Sequence, residues 1–145
     1  MNIKFGNICN AKESIILHQV NCCGVMGAGV AKAIRERFPN VYESYVKVCK
    51  HFEKTELLGK IQCIASLNNK TIVNCFAQLL YGHDRRHTNY EALKLCLQKV
   101  HDRYPDESIA IPFGIGCGLA GGDWKIVEPM IEEIFGDKAV LYRLS

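Results

Sequence analysis

Short, almost unbroken apolar runs alternate along this chain with segments whose apolar residues recur at helical spacing, and that alternation narrows the folds open to it. Ile15-Ile16-Leu17 and Ile109-Ala110-Ile111 have no polar residue to turn toward water. Strands of this kind are buried on both faces. Strands are expected at Asn2–Ile8, Ser14–Val20, Lys60–Ser66, Thr71–Gln78, Ser108–Pro112 and Ala139–Leu144. Helices are expected at Gly29–Phe38, Asn40–Phe52, Tyr90–Tyr104 and roughly Asp123–Phe135. Ala31, Ile34 and Phe38 share one helical face, as do Tyr42, Tyr45, Val46 and Cys49, and then Leu93, Leu97 and Val100. Pro39 and Pro105 stop helices, and Pro129 fits poorly inside one, so the last helix is expected to begin irregularly. Strands alternating with helices predict an α/β sandwich around a mixed sheet. With 145 residues, 48% of them hydrophobic, the chain reads as a single domain over residues 1–145.

Eight of the 12 glycines fall in two runs, three in Gly24–Gly29 and five in Gly114–Gly122. Each run follows an expected strand and precedes an expected helix. Glycine adopts positive φ freely, and its missing Cβ lets a ligand approach the backbone. Consecutive free N–H groups at a helix start attract anions. In open α/β sheets, ligands bind beyond the carboxyl ends of the strands, where both runs would lie. Two such loops point to a ligand with two phosphates, or with a phosphate-linked pair of sugars.

Several other classes are excluded. Gly116-Cys117-Gly118-Leu119-Ala120-Gly121 fits the G-x-G-x-x-G pattern of dinucleotide-binding folds, but too little chain follows for the remaining βαβ unit. There is no G-x-x-x-x-G-K-[ST] motif, and no C-x5-R follows Cys22, Cys23 or Cys117. The 8 cysteines include no C-x-x-C pair and are expected to stay reduced, with Cys49, Cys63, Cys75 and Cys96 as small core residues. A net charge of +3, with basic residues scattered apart from Arg85-Arg86, does not by itself indicate nucleic-acid binding. No apolar run is long enough for a membrane span, and Met1–Gly6 lacks the apolar core of a signal peptide, so a cytoplasmic protein with no membrane partner is expected. His83 and His87 have no third ligand nearby in sequence, so no metal is expected; nor is any cofactor.

The candidate chemical groups cluster around the glycine runs. His18 lies near the end of an apolar strand, three residues before Asn21. It is either a core histidine or a general acid or base. Asn21 could contact sugar hydroxyls or brace the turn. Asp123 could act in catalysis or cap the last helix. The segment Tyr81–His87 reads as a loop that closes over the ligand and brings positive charge.

The stretches His18–Ala31, with Phe38-Pro39 after it, and Ile111–Leu119 resemble the two ligand loops of the macrodomains. The resemblance implies a three-layer α/β/α fold with a central mixed sheet, and a cleft for ADP-ribose or a derivative. The His-x-x-Asn-Cys entry, Tyr45–Cys49 and Leu57–Lys60 are similar to the yeast-type ADP-ribose 1″-phosphate phosphatases. Gly116–Leu119 and Asp123-Trp124 are similar to macrodomains that release ADP-ribose from proteins or DNA. By that resemblance Asn7 and Ile8 lie at the adenine, and Asn21 at the distal ribose. Gly27, Ala28, Gly29 and Val30 bind one phosphate. Ile115, Gly116, Cys117, Gly118 and Leu119 wrap the other phosphate and the distal ribose. His18, Asn21 and Asp123 are the expected catalytic residues. Tyr81–His87 holds no lysine, and Ala120 stands where one glycohydrolase subgroup has an acid, which weakens a lysine-adduct mechanism; His18 matches the histidine of the yeast-type phosphatases, which tilts the expectation toward dephosphorylation of ADP-ribose 1″-phosphate. Release of ADP-ribose from protein, DNA or acetyl esters is the alternative, and a non-catalytic ADP-ribose reader a third.

Overall fold

The computed structural model describes residues 1–144. Six strands form one mixed sheet: β1 (Asn2–Phe5), β2 (Ile15–Asn21), β3 (Ile61–Ala65), β4 (Thr71–Gln78), β5 (Ile109–Pro112) and β6 (Ala139–Arg143). Their order across the sheet is β1-β6-β5-β2-β4-β3. All neighbours run parallel except β3, which pairs antiparallel with β4. The helices are α1 (Gly29–Arg37), α2 (Pro39–His51), α3 (Lys54–Leu57), α4 (Tyr90–Arg103) and α5 (Trp124–Phe135).

The period-two alternation of β2 builds two cores. Ile15 and Leu17 face α4 and α5, meeting Leu93, Leu97, Val127 and Ile131. Ile16 and Val20 face α1 and α2, meeting Ile34, Phe38, Val41 and Tyr45. Because both faces of β2 are covered, the strand can be apolar along its length. The three-layer α/β/α arrangement with a mixed sheet agrees with the expectation. All eight cysteines are free, and Cys75 and Cys96 are fully buried.

The boundaries differ from the sequence reading for local reasons. β1 ends at Phe5 rather than Ile8, because Gly6 takes φ 147° and the Asn7 side chain accepts from Cys9 N, starting a 3₁₀ turn over Ile8–Asn10. Pro39 ends α1, yet it also opens α2 in the first turn, where its missing N–H has no intrahelical acceptor to lose. The short helix α3, missed in the sequence, is held by a reciprocal cap between Glu53 and Glu56. α5 starts regularly, with Asp123 as its N-cap, and runs through Pro129. Pro129 sits on the exposed face, where solvent can satisfy the carbonyl it leaves unpaired.

Candidate functional site

Both glycine runs close on one cavity of about 670 Å³ at the carboxyl ends of β2, β4 and β5. Its walls are the loop and first turn of α1 (Gly27–Ala31), the loop after β5 (Pro112–Gly116, then Gly118–Ala120), and Tyr81, Gly82 and His83 beyond β4. No Asp, Glu, Lys or Arg lines it.

The backbone supplies the polarity that these side chains lack. Among the described residues no acceptor takes the N–H of Gly27, Ala28, Gly29, Val30 or Ala31. The same holds for Gly116, Gly118, Leu119 and Ala120. Two clusters of N–H donors therefore border one cavity, one of them at the positive end of the α1 dipole. This arrangement suits an anionic ligand without any cationic side chain. Cys117 does not share in it: its N–H donates to Gly114 O and its Sγ lies outside the cavity wall. Burial, aided by the Asp123 charge, pushes the Cys117 thiol up to about 11.

Asn21 lines the cavity, and most of its amide is engaged inside the protein. Nδ2 donates to Val25 O at 2.7 Å. Oδ1 accepts from Cys23 N at 2.9 Å and Val25 N at 3.3 Å. The buried Tyr45 hydroxyl lies 2.7 Å from both Asn21 Oδ1 and Asn21 O. Its side chain folds the first glycine loop, and the second N–H of Nδ2 takes no acceptor among the described residues. Tyr45, given no site role from the sequence, is the anchor of that brace.

His18 forms part of the cavity wall but is only 1% exposed. Asn74 Nδ2 donates to Gln62 Oε1, which leaves Asn74 Oδ1 to accept from His18 Nε2 at 2.6 Å. Nδ1 has no partner. Burial lowers the pKa to about 4, although the Asn74 bond opposes the shift. At neutral pH the ring is therefore an uncharged acceptor, and the expected role as general acid does not suit it.

Three more expected positions are placed as follows. Asp123 does not line the cavity; its Oδ1 accepts from Lys125 N at 2.9 Å as the α5 cap, and its N–H donates to Tyr90 Oη. Asn7 and Ile8 also lie off the cavity, because Asn7 caps the 3₁₀ turn and Ile8 is in the core. In the Tyr81–His87 loop the charged residues do not line the cavity. Asp84 Oδ1 pairs with His87 Nε2 at 2.9 Å, and Arg86 lies over the Tyr90 ring. Only Tyr81, Gly82 and His83 reach the cavity. Among the described residues no group of three His, Cys, Asp or Glu side chains is placed to hold a metal ion, and no helix is long and apolar enough to cross a membrane.

The Macro domain family pattern matches residues 17–131, a stretch that begins in β2 and includes both glycine loops. The chain belongs to the macro domain family. This macrodomain is 28% identical to an ADP-ribose 1″-phosphate phosphatase of Saccharomyces cerevisiae, over 96% of each chain. It is 42% identical to a DNA ADP-ribosyl glycohydrolase of Thermus aquaticus over 88% of its own length, though it spans only 36% of that protein. Among solved structures, the macrodomain of Mycobacterium tuberculosis DarG superposes with a TM-score of 0.79 at 27% identity, covering 99% of this chain and 98% of the other.

Proposed function

We propose that this macrodomain binds ADP-ribose through its two backbone N–H clusters and hydrolyses ADP-ribose 1″-phosphate. The observation that carries the reading is the pair of clusters bordering one cavity, whose volume falls in the range of small-molecule sites. The match along the full length of the yeast phosphatase supports the choice of reaction. Gly27–Ala31 would hold one phosphate at the start of α1. Gly116 and Gly118–Ala120 would hold the other and stabilise charge as it develops on the reacting phosphoryl group. In the reaction, water attacks phosphorus, the bond from phosphorus to the sugar oxygen breaks, and that oxygen gains a proton. His18, a neutral ring in the cavity wall, is the candidate group to assist that proton movement.

A second reading, removal of ADP-ribose from DNA, draws on the 42% identity to the Thermus aquaticus enzyme. The absence of any acidic or lysine side chain from the cavity wall weighs against it. The test is phosphate release from ADP-ribose 1″-phosphate in the presence of EDTA, run in parallel with ADP-ribose release from ADP-ribosylated DNA. Turnover of the phosphomonoester that collapses in His18→Ala, with ADP-ribose binding retained, is the expected result. ADP-ribose binding without phosphate release would overturn the phosphatase reading, and release from DNA would replace it.

A further inference from the structure

We infer that Gln19 and Thr88, neither of them in the glycine runs, are positioning residues that hold the Gly116 carbonyl away from the cavity and so keep the second loop receptive to an anion. Gly116 takes φ 74° and Gly114 takes φ 75°, with no Cβ on either to resist rotation. A peptide flip in such a loop is sterically cheap. It would turn a carbonyl oxygen toward a bound phosphate, replacing attraction with repulsion.

A buried relay opposes that flip, and its donor directions follow from one another. Thr88 is 2% exposed, and its hydroxyl donates to Gly116 O at 2.6 Å. The same oxygen accepts from Gly122 N at 2.9 Å. Having given its proton, Thr88 Oγ1 can only accept, and Gln19 Nε2 donates to it at 2.8 Å. Gln78 Nε2 donates to Leu80 O, so Gln78 Oε1 is also an acceptor, and Gln19 Nε2 gives it a second bond at 2.9 Å. Both neighbours thus require a nitrogen at this end of the Gln19 amide. Gln19 Oε1 is left buried and unpartnered against Gly116, where an added Cβ would come within 2.7 Å of it. The clamp therefore joins the ends of β2 and β4 to the loop after β5. Its consequence for ligand rests on the proposed phosphate role of the second loop.

The relay can be broken without changing shape. Thr88→Val removes the hydroxyl, while Thr88→Ser keeps it. Gln19→Glu replaces the donor nitrogen with an acceptor, so Thr88 must turn its proton to the carboxylate and release Gly116 O. Titration calorimetry with ADP-ribose should show Kd rising about tenfold in Thr88→Val and in Gln19→Glu, as for loss of one buried hydrogen bond. Thr88→Ser should stay near wild type. Amide hydrogen exchange over Gly114–Ala120 should quicken in the first two variants and not in the third, without ligand present. Wild-type exchange in Thr88→Val and Gln19→Glu, or equal impairment in Thr88→Ser, overturns the clamp. Failure of the wild-type protein to bind ADP-ribose overturns the ligand reading instead, and leaves the exchange comparison to decide the clamp. If Thr88→Val does not fold, Gln19→Glu against wild type decides both readouts.

Discussion

At the scale of single residues, polar side chains near the cavity shape its loops more than they face it. Asn21 was legible from sequence as important, since an amide at a strand-to-loop junction has few uses. Which use it serves was not legible, because the deciding partner, Tyr45, is distant in sequence and reads as one more apolar position on α2. The buried hydroxyl and amide are joined at 2.7 Å, so removing either loses one buried hydrogen bond of the brace. Tyr45→Phe should destabilise the protein by about 0.5–1.5 kcal/mol, the usual net contribution of one hydrogen bond. Asn21→Ala should cost more, since it also abandons Cys23 N and Val25 N. Both should weaken ADP-ribose binding by loosening the first loop. Urea denaturation with parallel ligand titration checks this: a Tyr45→Phe protein with wild-type midpoint and affinity would contradict the brace.

At the scale of elements, the same aspartate supports two stories with different numbers. A cap on α5 contributes about 0.5–2 kcal/mol of stability and nothing to turnover. A catalytic carboxylate typically accounts for 10²-fold or more in rate. The structure puts Asp123 at the cap and off the cavity wall. Asp123→Ala should therefore lower the urea midpoint while kcat for any ADP-ribose derivative the wild type turns over stays within about threefold, and Asp123→Asn should preserve both, as a cap of equal quality. A hundredfold loss of kcat in Asp123→Asn would restore the catalytic role. Element boundaries showed a similar pattern. The cores of β2, β4, α2 and α4 were legible because hydrophobic period alone decides them. The end of β1 and the whole of α3 were not, because caps at Asn7 and Glu53 decide those, and capping residues look alike whether or not they cap.

At the scale of the whole molecule, the fold was legible because each face of the sheet needs its own helical layer, and the chain writes that need as apolar strands between amphipathic helices. The polar link across the sheet was hidden, since Gln62, Asn74 and His18 come from three strands and meet only through register: His18 pairs with Asn74, and Asn74 with Gln62. Burial of His18 within that link makes global stability depend on pH. His18 titrates near 6.5 in an unfolded chain and near 4 in the fold, where burial disfavours the charged ring. Between those values the unfolded chain takes up a proton that the folded one refuses, so folding stability rises with pH through this window and the contribution is complete above 6.5. Fully expressed, a shift of that size corresponds to about 3 kcal/mol, lost progressively as the pH falls toward 4. Carboxylates also titrate at the acid end, so the informative quantity is the difference between wild type and His18→Gln, which keeps a polar group beside Asn74 and cannot be charged. Urea denaturation at pH 7 and at pH 4.5 should show wild type losing more stability than the variant. Equal losses would mean that His18 accepts its proton in the folded state, and with it that the ring is open to solvent and free to act as an acid after all.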